Sequence, residues 1–320
     1  MTNTPDCDLN QKLFNAAANG DSEALARLLT QGADPMADEF KAVFFAAYAG
    51  HAECLKLLIP ATSPKIEDPR PLVYAALSGY TECVKILIPV SDAKADGSKA
   101  LRNAASNGHT ECVRLLIPIS APKAEDSFAL RWAAKSGQTE CVKLLIPVSV
   151  PKAGDSLALR WAAENGHAEC VKLLIPVSDP KADDSKALRE AVRHGQTECL
   201  KLLIPVSDPK AKDSTALFWA ARHGNIECFQ LLIPVSSPLI EIEGAPLEAL
   251  DAGHAGILSL MLACEPRILD QIDLSSAIEI SIAKGQPELA ALLLSVAEQQ
   301  SIAASLNGPD TCRLSATHRL

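Results

Sequence analysis

Seven cysteines, Cys54, Cys83, Cys112, Cys141, Cys170, Cys199 and Cys228, follow one another at a constant step of 29 residues. Glycine keeps the same step at Gly50, Gly79, Gly108, Gly137, Gly166, Gly195, Gly224 and Gly253, with Gly20 before and Gly285 after at slightly different spacings. These marks divide the chain into ten units. A period in this range constrains the fold more than any other feature. Each unit is a small supersecondary element that cannot bury its apolar side alone, so its neighbours must cover it. A length of 320 residues would suggest two domains, and the repetition overrides that expectation.

The unit from Asp155 to Pro176 shows the plan. Asp155 and Ser156 are residue types that cap helix N-termini, and the same pair returns at 126–127, 184–185 and 213–214. Leu159, Ala162 and Ala163 then fall at helical spacing and form one small apolar stripe. Gly166 ends this first helix, because a left-handed turn costs glycine nothing. Glu169 sits near the start of a second helix, where a negative charge suits the dipole. Cys170, Val171, Leu173, Leu174 and Ile175 give that helix a wide apolar face; Pro176 closes it, and 177–183 return as an extended loop. Helices of about eight to ten residues are unstable alone in water, so order must come from stacking unit on unit. The expected architecture is an all-α solenoid of about ten helix–turn–helix repeats. Its expected layout is a flexible N-terminus at 1–9, repeats over 10–237, divergent and acidic capping repeats over 238–297, and a disordered tail at 298–320.

Composition narrows the function classes. Hydrophobic residues make up 48% of the chain, enough for a large core, while aromatics at 4% favour small-side-chain helical packing. A net charge of −9 argues against a nucleic-acid partner, since phosphates reward clustered cations. The start, Met1 to Gln11, lacks a basic patch followed by an apolar run, and no stretch reaches the roughly 18 apolar residues of a membrane span. A cytoplasmic protein with no membrane partner is expected. Disulfides between repeats are excluded by spacing: stacked helices lie roughly 10 Å apart, and a disulfide needs Cα atoms within about 7 Å. The cysteines therefore read as small buried hydrophobes. With no CxxC or HxxxH pair there is no metal site to expect. The chain also lacks GxSxG, GxGxxG, HExxH and the phosphate-binding loop, so neither enzyme activity nor a cofactor is expected.

The residues resemble the ankyrin repeat family. The opening unit carries the closest match, in Leu13-Phe14-Asn15-Ala16-Ala17-Ala18-Asn19-Gly20-Asp21, then Ala24 to Leu29, then Gly32-Ala33-Asp34-Pro35. Thr215-Ala216-Leu217-Phe218 stands where the family has Thr-Pro-Leu-His, and Gly-His recurs at 50–51, 108–109, 166–167 and 253–254. The likeness covers about residues 10 to 297. Two departures stand out: most repeats have 29 residues rather than the family's roughly 33, and the Thr-Pro-Leu-His string is mostly replaced. The missing residues fall in the connection after the second helix, so the family's β-hairpins are expected to be trimmed to loops such as 177–182. A leucine-rich repeat also permits this period, but its strand signature is absent.

The resemblance implies a protein–protein interaction scaffold, monomeric, whose partner lies along a concave face. The two positions before each glycine are the family's contact positions, and here they vary while the frame repeats. Tyr48, Leu77, Asn107, Lys135, Glu164, Arg193, His194, Arg222 and His223 are the candidates, grading from apolar to basic. A second ladder comprises Arg102, Arg131, Arg160 and Arg189, beside Trp132, Trp161 and Trp219. Those arginines would either bridge to loop acids of the next repeat or bind an acidic segment bidentately. The tryptophans would serve either as interface anchors or as packing between first helices. Alternatives to the scaffold are a regulator that occludes an enzyme's active site and a binder of an anionic polymer along the basic middle. The near-identical middle repeats suggest copy-number expansion, which together with the resemblance suits a host-directed factor of a host-associated microbe, delivered into the host cell.

Overall fold

The computed structural model describes residues 5–62, 66–239 and 244–306. Among them every regular element is helical, apart from one isolated parallel bridge between Ile66 and Ser91. Helices occur in pairs: α1 (Pro5–Asn19) and α2 (Ser22–Thr30), α3 (Ala37–Ala49) and α4 (Ala52–Leu58), α5 (Arg70–Ser78) and α6 (Thr81–Leu87), α7 (Ala95–Ser106) and α8 (Thr110–Leu116), α9 (Ala124–Lys135) and α10 (Thr139–Leu145), α11 (Ala153–Glu164) and α12 (Ala168–Leu174). Next come α13 (Ala182–Arg193) and α14 (Thr197–Leu203), α15 (Ala211–His223) and α16 (Ile226–Leu232), α17 (Ala245–Ala252) and α18 (Ala255–Cys264), and α19 (Leu274–Ala283) and α20 (Pro287–Leu306). They fall into two compact bodies, 1–187 and 188–320.

In the N-terminal body α1, α3, α5, α7, α9 and α11 pack each on the next, as do α2, α4, α6, α8, α10 and α12. The C-terminal body packs α15 on α17, α14 on α16, α16 on α18, and α18 and α19 on α20. The core is the stripe expected from the sequence. Leu159, Ala162, Ala163, Cys170, Val171 and Leu174 are fully buried. Leu173 and Ile175 are half-buried, so the buried face of the second helix is narrower than expected. Pro176 does not terminate a long helix. After Leu174 the chain tightens into a 3₁₀ turn, Ile175–Val177, with Pro176 near its start, where a missing N–H costs nothing.

The glycine turns do more than reverse the chain. At Gly137 (φ +70°) the N–H of Gln138 bonds to Ala133 O at 2.9 Å and that of Gly137 to Ala134 O at 3.3 Å, a Schellman ending for α9. The Gly137 Cα also faces the next repeat: an added Cβ would lie 2.5 Å from His167 Nδ1. That imidazole reaches back so that Nε2 stands 2.9 Å from Lys135 O. His51 does the same to Ala18 O and His109 to Leu77 O; in the C-terminal body His254 does so to Arg222 O, and Asn225 substitutes for histidine at Val192 O. The Gly-His signature is thus a clamp that satisfies a C-terminal carbonyl of the preceding repeat's first helix.

The Asp-Ser pairs are not N-caps, contrary to expectation. Glu125, Asp126 and Ser127 adopt φ of +48°, +55° and +62°, and Gly154, Asp155 and Ser156 adopt +58°, +54° and +59°. Asp183, Asp184 and Ser185 repeat the pattern. Each trio makes a left-handed turn that swings the serine inward. Ser98, Ser127, Ser156 and Ser214 are buried, and each Oγ accepts a 2.8 Å hydrogen bond from the following loop, from the N–H of Ala121, Val150, Asp179 and Ser237 respectively. A left-handed residue costs about 1–2 kcal/mol, and the bond that the buried serine accepts offsets part of that. The serine therefore ties the start of its first helix to the loop that leads into the next repeat rather than capping its own helix.

The seven periodic cysteines are buried free thiols, as expected, while Cys264 is exposed. Thr81, Thr110, Thr139 and Thr197 place Oγ1 within 3.6–3.8 Å of the sulfur of the next repeat's cysteine. Burial, chiefly, pushes the thiols of Cys54, Cys83, Cys112, Cys141, Cys170 and Cys228 up, Cys83 to about 11, where Glu82 and Cys112 add. A raised folded-state pKa leaves stability intact below the free thiol's value of 9.0 and removes it as pH climbs towards 11. The thermal midpoint should therefore hold up to about pH 9 and fall above it. In a Cys7→Ser/Cys312→Ser background, Ellman's reagent should find Cys264 at once and the seven periodic cysteines only at the rate of unfolding. Reaction of the seven as fast as Cys264 would disprove their burial.

At the C-terminal end α20 runs to Leu306, so 298–306, expected within a disordered tail, are helical. A continuous run of good helix formers from Pro287 onward accounts for the difference. Likewise α1 begins at Pro5, inside the expected flexible stretch. Residues 1–4 and 307–320 lie outside the described residues.

Candidate interaction surface

The residues that vary between repeats lie at the C-terminal halves of the first helices. In the N-terminal body they begin with an aromatic group. Phe44 stacks on Tyr48 at 5.9 Å and meets Tyr74 edge-on at 5.6 Å, and Tyr48 is 55% exposed. Arg70 lies over Phe44 and pairs with Asp68 at 2.8 Å. Exposed Leu77 comes next, at the edge of a recess of about 400 Å³ whose other walls include Asn103, Phe128 and Trp132. Asn107 is exposed but spends its amide on Asn103 O at 2.8 Å, closing α7.

Arg102 opens the arginine ladder. Its guanidinium lies 4.9 Å over Phe128 and 3.7 Å from the Glu125 carboxylate of the next repeat, which is the loop-acid bridge, one of the two roles open to the ladder. Arg131 differs. It stacks over Phe128 at 4.9 Å and Trp161 at 5.9 Å, and its Nη2 donates to Glu125 O. Trp132 and Trp161 meet edge-on at 5.9 Å, and Lys135 caps both, 4.9 and 5.3 Å from their centroids. These tryptophans are half-buried and join neighbouring first helices, so the packing role is present. Glu164 is half-buried at the position of Lys135 one repeat on, and Arg160 is half-buried at that of Arg131.

The C-terminal body gathers its candidates around Trp219. Arg193 and Arg222 lie over its ring at 5.3 and 5.7 Å, and His223 stacks on it at 5.5 Å. Burial first, then Arg193 and Arg222, hold His223 below the usual imidazole pKa, so it is neutral at pH 7. Arg222 pairs with Glu248 at 3.3 Å, and His194 lies 3.8 Å from Glu190, as does Arg193. Arg189 is half-buried and engaged in interactions of its own.

Three outward second-helix lysines, by contrast, are neutralised locally. Lys85 with Glu82, Lys143 with Glu140 and Lys201 with Glu198 form i,i+3 pairs at 2.6–2.7 Å. Sequence reasoning missed Tyr74 and Phe128 as members of the surface, although Phe128 lies four residues before Trp132, one turn along α9. Among the described residues there is no group of histidine, cysteine or acidic side chains that could hold a metal, and no helix is long and apolar enough to cross a membrane.

A frame of glycine turns, paired short helices and variable exposed residues at the ends of first helices defines a repeat protein of the ankyrin type. Family comparison agrees: the family model described as ankyrin repeats in three copies matches residues 13–96, 72–155, 130–213 and 159–243, well over half of the chain, which belongs to the ankyrin repeat family. Ankyrin repeats are protein–protein interaction modules. Among solved structures the human ASB11 ankyrin repeat domain is similar at 22% identity and a TM-score of 0.43, covering 55% of this chain and 95% of that one. A comparison with curated proteins finds no match.

Proposed function

We propose that the chain is a non-catalytic, monomeric scaffold that holds a partner protein along the exposed ends of its first helices. The observation that carries this reading is the division of labour within each repeat. Buried positions recur almost unchanged, whereas Tyr48, Leu77, Asn107, Lys135 and Glu164 in one body, and Arg193, His194, Arg222 and His223 in the other, differ in chemistry from repeat to repeat. A frame that is constant inside and variable on one row of positions suits recognition. A cytoplasmic setting and delivery into a host cell belong to the same reading, supported by the near-identity of the middle repeats.

The test is face-selective cross-linking in lysate of the cell in which the protein acts. A photo-reactive side chain at position 77 or 135 should give one discrete protein adduct, and the same group at 85 or 143 on the second helices should give none. Equal adducts from both faces, or none from 77 and 135, would defeat the proposal.

A further inference from the structure

One repeat of the N-terminal body lacks the counter-ion that its neighbour carries. Arg102 has the Glu125 carboxylate of the next repeat at 3.7 Å. Arg131 occupies the same place one repeat on, and the residue that corresponds to Glu125 is Gly154. Arg160 follows, and there the corresponding Asp183 pairs with Lys186 at 2.9 Å. Among the described residues Arg131, Lys135 and Arg160 enter no ion pair, in a chain whose net charge is −9 and in which the second-helix lysines Lys85 and Lys143 are paired at 2.7 and 2.6 Å. Three cations around Trp132 and Trp161 form a surface that is short of negative charge.

We infer that this surface takes an extended acidic segment of a partner polypeptide, with carboxylates at Arg131 and Arg160 and an apolar side chain in the recess beside Leu77. The inference rests on the scaffold reading and gives its partner a chemistry. Charge complementarity supplies the carboxylates. The recess of about 400 Å³, walled by Leu77, Phe128 and Trp132, supplies the apolar subsite one repeat earlier. Register follows from geometry. Stacked repeats advance by about 10 Å and an extended chain by about 3.3–3.6 Å per residue, so one repeat spans about three residues. The recognised pattern is therefore an apolar residue and two acidic residues at about three-residue intervals. Glu125 and Glu164 border the cations on either side and limit the run to a few charges. That favours a peptide over a phosphate polymer, whose affinity grows with the number of neutralised phosphates.

Gly154→Glu tests this by restoring the absent carboxylate. The backbone accepts it, because Glu125 already holds φ +48° at the matching place and Gly154 has φ +58° with only Leu157 near an added Cβ, at 3.5 Å. A random peptide display library is selected on the full-length protein, and the enriched peptides are measured on wild type, Gly154→Glu and the neutral control Gly154→Gln. Enrichment of acidic pairs at the stated interval is expected. Their Kd should rise about tenfold or more in Gly154→Glu and little in Gly154→Gln. Arg131→Glu/Arg160→Glu should abolish binding, whereas Lys85→Glu/Lys143→Glu should not, with helicity by circular dichroism as the check on folding. Enriched peptides without acids, equal Kd in the two Gly154 variants, no enriched peptide, or tighter binding of an oligothymidylate than of any peptide would each overturn the inference. The cross-linking result stands apart from all of these, so the broader scaffold reading can survive or fail independently.

Discussion

Gly137→Ala is expected to destabilise the protein by about 2–3 kcal/mol, seen as a lower thermal midpoint. Two costs combine. A β-carbon at φ +70° is strained by about 1–2 kcal/mol. It would also stand 2.5 Å from His167 Nδ1, so the imidazole must move and release Lys135 O. Gly32 separates the two, because its φ of +95° brings strain while nothing lies within 4 Å of an added Cβ. Gly32→Ala should therefore show strain alone. Combining Gly137→Ala with His167→Ala should recover about 1 kcal/mol relative to additivity. Strict additivity would mean that the histidine clamp contributes nothing.

Ser156→Ala should cost about 1 kcal/mol, because it removes the buried Oγ that accepts from the N–H of Asp179 at 2.8 Å. Asp155→Gly should do the opposite and stabilise by about 1 kcal/mol, since its φ of +54° is easy for glycine. An N-cap aspartate would behave differently: replacing it would lower stability and glycine would bring no gain. Urea unfolding of the two single variants thus decides between a left-handed turn and a cap by the sign of the change at residue 155. Loss of stability in Asp155→Gly would refute the turn.

The fold was legible because its signal is periodic. The stripe Leu159, Ala162 and Ala163 and the series of cysteines recur so often that helix pairing and burial follow from spacing alone. What spacing could not reveal was anything that depends on a partner atom in another repeat. Asp-Ser looked like a cap because the residue types are right. Only the folded chain brings Ser156 Oγ against Asp179 N, 23 residues ahead. The arginine ladder was visible as a row, yet which member lacks a counter-ion depends on the residue 23 positions on, where glycine replaces an acid. Positions such as Leu77 and Lys135 stand out because variation against a constant frame can be read from one sequence, whereas Phe128 lies a full turn before Trp132 and joins the candidate surface through its contacts with Arg102 and Arg131.

The ties between repeats, His167 to Lys135 O and Thr139 to Cys170, and the tie of Ser156 to the loop at Asp179 all join positions at fixed offsets. A gene that loses or duplicates one whole 29-residue block therefore rejoins at a seam whose bonds are the ones just broken, whereas a cut of any other length leaves every clamp facing the wrong atom. Length in such a chain is quantised. Evolution can lengthen or shorten the reading row in whole steps, and recombine its letters, without having to solve the folding problem again.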